Sequence, residues 1–291
     1  MQDYIVRALV ADTISVYAGV TTQTVEEARN IHRMNPTPCV ALGRTLTGAA
    51  LMSQTLKDRD NTITIQIKGD GPIGGIVAVT DAGANVRGYV HNPFFDLPLN
   101  DKGKFDIKGA VGNGYMNVIK DIGLKEPYIG YVNLVSGEIA EDLAFYYASS
   151  EQIPTAVNLG VLIGTGGHVV AAGGFIVQLM PDTPEELIAF LEKRIMKIPP
   201  ITNLVSNGLT PEAIIHELFQ EKPVRILGLS EVHYRCNCSR ERMERNLISL
   251  GKKDLMEIAQ DKKDTELHCH FCNRKYIFTP EELEELIKNL G

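Results

Sequence analysis

The hydrophobic pattern changes period several times along the chain, and each change predicts an element. Residues 24–34 open with Thr24 and Glu27 in capping-box spacing and read as a helix ended by Asn35-Pro36-Thr37-Pro38. Residues 40–57 read as a second helix, stopped by the polar run Asp58-Arg59-Asp60-Asn61. From 62 to 68 the alternation is strict. Ile63, Ile65 and Ile67 share one face, so this is a strand with one wet side. Segments 76–80 and 86–90 flank Asp81-Ala82-Gly83-Ala84 as a hairpin, and 115–119 with 128–135 make a further strand pair. A helix is expected over 137–150. Residues 152–181 contain no Asp, Glu, Lys or Arg and are long enough to span a bilayer. Gly164-Thr165-Gly166-Gly167-His168 cuts this segment at its centre, so it reads as two buried strands around a glycine turn. Strands grouped together, then helices, favour an α+β fold over a doubly wound parallel sheet.

After Met180 the pattern turns to short amphipathic helices. Thr-Pro-Glu occurs at 183–185, 210–212 and 279–281. Each copy offers an N-cap hydroxyl, a proline suited to the first helical position and an acid near the positive end of the helix dipole. One stripe carries Leu187, Ile188, Leu191 and Ile195; the next carries Ile214, Ile215, Leu218 and Phe219, with Pro199-Pro200 between them. Such stripes on a connecting segment predict a linker docked on a neighbouring apolar surface.

Composition adds a boundary. The chain has 291 residues and a net charge of −7, yet residues 221–291 hold 13 basic and 13 acidic side chains, so the body carries the whole imbalance. Four of the five cysteines lie in that charged segment. These shifts predict an α+β body over 1–180, a helical linker over 181–232 and a small domain over 233–291. An acidic chain with a neutral tail argues against nucleic-acid binding and against an anionic membrane partner. Asp3, Arg7 and Asp12 interrupt the N-terminal apolar run, so no signal peptide is expected, and the few cysteines suit a reducing, cytoplasmic setting.

The chemistry concentrates in Cys236-Asn237-Cys238 and, 30 residues on, Cys269-His270-Phe271-Cys272. Two close cysteine pairs at this separation predict a structural zinc site, because two tight turns can bring four thiolates around one ion. His268 and His270 flank Cys269 and are alternative ligands, although four cysteines already close the shell. A tail of this size cannot build a strong apolar core, so metal removal should unfold it. Cys39 follows Pro38 and reads as a small buried residue.

Other motifs fail. Gly69-Asp70-Gly71-Pro72-Ile73-Gly74 matches the dinucleotide spacing but continues as a strand, and the phosphate-loop spacing from Gly43 to Gly48 has Ala49 where a lysine is required. His91 and His168 read as turn residues. No hydrolase, kinase or hydride-transfer constellation is present, so the chain does not read as an enzyme.

The chain resembles the 33 kDa chaperonin family, the bacterial redox-regulated heat-shock holdases. The resemblance rests on residues 234–242 around the first cysteine pair, on Leu250-Gly251, and on Cys269-His270-Phe271-Cys272 before Tyr276 and Phe278. It extends to the N-terminal half through Gly43-Arg44, residues 47–50, Lys68-Gly69-Asp70-Gly71-Pro72 and Gly88-Tyr89-Val90. It implies one zinc per reduced chain, held by Cys236, Cys238, Cys269 and Cys272. It further implies that oxidant and unfolding stress form disulfides Cys236–Cys238 and Cys269–Cys272 with loss of the metal. The active form would be a homodimer that binds unfolding client proteins without ATP and passes them to ATP-dependent chaperones. Two rivals stand beside this reading: a zinc-ribbon nucleic-acid-binding protein, and an enzyme with a structural zinc tail.

Overall fold

The structure is a computed structural model and describes residues 2–289. It resolves into two compact units, Met1–Arg235 and Cys236–Gly291.

The first unit is built on two antiparallel-rich sheets. Strands β1 (Tyr4–Val10), β2 (Ile14–Val20), β8 (Thr155–Ile163), β9 (Val169–Leu179) and β10 (Val224–Glu231) form a five-stranded sheet in the order β10-β1-β2-β9-β8. Strands β3 (Thr62–Gly69), β4 (Ile76–Asp81), β5 (Asn85–Val90), β6 (Gly114–Asp121), β7 (Tyr128–Asn133) and β11 (His233–Tyr234) form a six-stranded one in the order β11-β5-β4-β3-β6-β7. The uncharged segment is the β8–β9 pair, as its glycine turn required. Among the described residues no helix is long and apolar enough to cross a membrane.

Helix α2 (Pro36–Ser53) packs against strands of both sheets. Sixteen of its 18 residues are buried, which is why its sequence shows no polar face. Close packing uses its small residues: a Cβ on Gly43 would lie 2.6 Å from a methyl of Val25 on α1 (Thr22–His32). The apolar faces of both sheets and α2 form the main core, which also contains Cys39.

The opposite face of the five-stranded sheet is covered by α5 (Glu185–Lys197), α6 (Ile201–Ser206) and α7 (Pro211–Phe219). Leu187 and Leu191 are buried there, Ile188 and Ile195 are half-buried, and Ile214, Ile215, Leu218 and Phe219 are fully covered. The connecting segment is therefore docked, and it is not wholly helical. Its last part, β10, pairs along β1 from Tyr4↔Glu231 to Val10↔Val224, with a bulge at Arg7/Ala8.

Several expected boundaries move for identifiable reasons. Helix α1 starts earlier than the Thr24 capping box would allow. The buried Asp3 carboxylate, on the segment leading into β1, accepts from the backbone N–H groups of Gln23 and Thr24 at 3.1 and 2.7 Å, supplying the cap from elsewhere. Helix α2 begins at Pro36, since proline suits a first turn as well as a terminus. The helix expected from Gly137 begins only at Ala140 (α4, Ala140–Tyr146) and passes into a π-helical turn over Tyr147–Glu151. Ile139 sits at φ 66°, held where the Asp142 carboxylate accepts from the N–H groups of Val135, Ser136 and Ile139. The Gly69–Gly74 run is a turn against α3 (Ile107–Val111), where a Cβ on Gly71 would lie 2.4 Å from the Ala110 carbonyl oxygen. Gly69 and Gly71 serve close backbone approach rather than a phosphate, and Gly74 takes the left-handed φ of 71°.

The second unit contains α8 (Arg240–Ser249), α9 (Lys252–Gln260), a two-stranded hairpin of β12 (Thr265–His268) and β13 (Lys275–Phe278), and α10 (Pro280–Asn289). Its core is small: Met243, Leu247, Leu255, Phe278 and Leu283 cluster with Cys269.

Candidate metal centre

Each cysteine pair is presented by a turn that its own sequence dictates. Cys236 and Cys238 lie on the extended entry to α8, whose N-cap Ser239 accepts from the Arg242 N–H at 3.3 Å. Cys269 and Cys272 lie in the turn of the β12–β13 hairpin. The N–H groups of Cys272 and Asn273 donate to the Cys269 carbonyl at 3.3 and 2.8 Å, and the Cys269 N–H donates to the Arg274 carbonyl at 3.0 Å. The turn closes through Asn273 at φ 55°, a left-handed position that asparagine tolerates better than most residues.

The four sulfurs converge. Cys236 and Cys269 approach to 3.6 Å, Cys238 and Cys272 to 3.4 Å, and all four ligand atoms lie within 4.8 Å of one another. Four thiolates about 2.3 Å from a tetrahedral zinc stand roughly 3.8 Å apart, so the donor set and its spacing fit such an ion. Among the described residues this cluster is made of the four cysteines alone. His268 and His270 are exposed, and His268 bonds the Glu266 carboxylate instead.

The surroundings distinguish the sulfurs. Burial raises the Cys236 thiol, and it also lifts Cys272, to about 11. At Cys238 burial acts in the same direction but is outweighed by hydrogen bonds to its sulfur from the Tyr276 hydroxyl and the neighbouring thiols, which hold it at about 7. The Tyr276 hydroxyl donates to that sulfur at 3.1 Å. The sequence motif did not single out Tyr276 or Asn273 as parts of the centre. Their signal was local: an asparagine just after the second pair, and a tyrosine alternating with the buried Phe278 on β13. Arg240 braces the same unit, stacking 4.3 Å over the Phe278 ring and pairing with Glu282 on α10 at 2.7 Å.

Cys39 lies apart from this centre, in the core of the first unit. It is fully buried, and burial pushes its thiol up to about 12.

A family model described as Hsp33 protein matches residues 3–279. The chain belongs to the Hsp33 family. It is 56% identical to the 33 kDa chaperonin of Acetivibrio thermocellus, across 99% of this chain and 98% of that one. It is 54% identical to the 33 kDa chaperonin of Ruminiclostridium cellulolyticum, across 99% of each. The crystal structure of the 33 kDa chaperonin from Thermotoga maritima superposes with a TM-score of 0.92 at 41% identity, covering 99% of both chains. Hsp33 proteins are chaperones, not enzymes, which removes the enzyme with a zinc tail as a reading of this fold.

Proposed function

We propose that this Hsp33 chain is an ATP-independent holdase held inactive by a metal-bound cysteine centre and released by oxidation. The observation that supports it most is the convergence of four sulfurs in a unit whose apolar core is too small to be stable alone. Cys236, Cys238, Cys269 and Cys272 would hold one zinc as thiolates. When bound, the ion supplies folding free energy on the order of 10 kcal/mol to a module of this kind.

Oxidation acts on the ligands. In each pair two thiolates give up two electrons to hydrogen peroxide, a sulfur–sulfur bond forms, and the peroxide oxygen–oxygen bond breaks to give two waters after uptake of two protons. The pairing proposed is Cys236 with Cys238 and Cys269 with Cys272, each pair being adjacent in sequence. Disulfide sulfurs no longer offer the charge that held the metal, and the unit loses its main support.

The docked segment is the second part of the device. Helices α5, α6 and α7 hide a continuous apolar face on the five-stranded sheet. Its release would uncover sheet and helix faces together, a surface suited to unfolding client proteins. Dimerisation of the active form, hand-off of clients to ATP-dependent chaperones and a cytoplasmic setting belong to the same proposal. The nucleic-acid reading finds less support, since α8 interleaves Glu241 and Glu244 with Arg240, Arg242 and Arg245. The test is suppression of client aggregation by reduced and by peroxide-treated protein. Equal activity in both, with the thiols shown to differ, would contradict the proposal.

A further inference from the structure

Two adjoining cavities open on the first unit where α2, β8 and the loop before α3 meet. One, of about 720 Å³, is bordered by Lys102, Lys104 and Lys108; the other, of about 550 Å³, by apolar side chains including Leu99, Val161, Ile198 and Ile201. Arg44, Lys104, Phe105, Asn158 and Leu159 border both, so one cleft has a cationic half and an apolar half. Volumes of this size fall within the roughly 300–1,000 Å³ typical of small-ligand sites.

The polar groups at the junction are unevenly matched. The Arg44 guanidinium gives one nitrogen to the Glu138 carboxylate at 2.7 Å, while its Nε is buried without a hydrogen-bond partner. Among the described residues neither the three lysine ammonium groups nor the Asn158 amide has a side-chain partner. Asp101 and Glu141 also border the cationic half, leaving three uncommitted lysines against two acids once Arg44 and Glu138 are paired. The three lysines are exposed and Asn158 is half-buried, so an anion entering the cleft reaches them at little desolvation cost.

We infer that this cleft binds a small amphiphile of the fatty-acid type, an aliphatic chain ending in a carboxylate. The carboxylate accepts from the Asn158 amide and the Lys104 ammonium, which border both halves, and the chain lies along Leu99, Val161, Ile198 and Ile201. The apolar half joins β8 to the start of α6, so an occupied cleft also holds the docked segment against the sheet. That consequence rests on the function proposed above; the binding itself does not.

The probe is decanoate, titrated calorimetrically into the reduced full-length chain below the concentration at which it self-associates. The expected result is saturation at one site, with decanol and acetate each at least about tenfold weaker, because each lacks one half of the recognition. Asn158→Asp should weaken binding about tenfold by placing a like charge at the head, and the exposed Lys104→Gln should weaken it less. No saturable binding, equal affinity for decanol, or undiminished binding by folded Lys104→Gln and Asn158→Asp proteins would overturn the inference. So would binding seen only after oxidation, since that reports general capture by uncovered apolar surface. The reduced-state titration is independent of whether oxidation activates the chain, so the two ideas can fail separately.

Discussion

At the residue scale, the four clustered cysteines and Cys39 differ in environment, and the difference predicts opposite chemistry. Cys269→Ser should abolish tight metal binding, because three thiolates and a neutral hydroxyl do not reproduce the shell. Metal content and the fold of residues 236–289 read this directly; full-affinity zinc in a natively folded variant would move the fourth ligand elsewhere. Cys39 should remain a thiol when the other four oxidise, being fully buried with its thiol raised to about 12. Peptide mapping that placed Cys39 in a stoichiometric disulfide would contradict this. The cysteines were legible in the sequence because a tight pair of ligands is a local feature. Tyr276 carried part of the family resemblance, but its contact with the centre was not legible, because it arises from a hydroxyl reaching a sulfur 38 positions away in the chain. The cap on α1 escaped for the same reason: Asp3 lies about 20 residues before the N–H groups it satisfies.

At the element scale, periodicity located strands with one buried face well and misjudged segments whose partners are distant. Strand β3 was legible through its three alternating isoleucines. Strand β10 was not, since its residues are largely exposed and it is a strand only because β1 offers an edge. Of the three Thr-Pro-Glu signals, two act as expected. Thr210 accepts from the Ala213 N–H at 3.3 Å, and Thr279 accepts from the Glu282 N–H at 3.4 Å while the Glu282 carboxylate accepts from the Thr279 N–H. Thr183 instead donates to the carbonyls of Thr13 and Met180, tying the start of α5 to the β1–β2 turn. Thr210→Ala should therefore cost about 1 kcal/mol of stability, read as a lower urea midpoint at unchanged m-value. The docked faces give a stronger expectation. Leu191, on α5, is buried within the layer that covers the sheet, and burying such a side chain is worth roughly 1.5–3 kcal/mol. Leu191→Asp should raise chaperone activity in the reduced, metal-loaded protein, measured as suppressed client aggregation with metal content checked alongside. A folded, metal-loaded Leu191→Asp protein as inactive as the parent would show that this docking does not restrain activity.

At the scale of the whole molecule, the two units have unequal means of support. The first has two sheets and a buried helix between them; the second has a handful of buried side chains and a sulfur cluster. The chain reaches the boundary well anchored. The Val232 N–H donates to the Asp3 carbonyl at 3.1 Å, and the buried Tyr234 hydroxyl donates to the Gly88 carbonyl at 2.8 Å, two residues before Cys236. Chelation should therefore melt residues 236–289 while leaving the β-sheet signal of the first unit, a difference that hydrogen exchange resolves by segment. On the function proposed, thiol oxidation, metal loss and client binding are one event. The most direct test is a peroxide titration under mild heating that follows zinc release, free thiols and suppression of client aggregation in the same samples. The account predicts that aggregation suppression rises in step with zinc release and the loss of four thiols per chain. Full activity while the zinc and all five thiols are retained would contradict it.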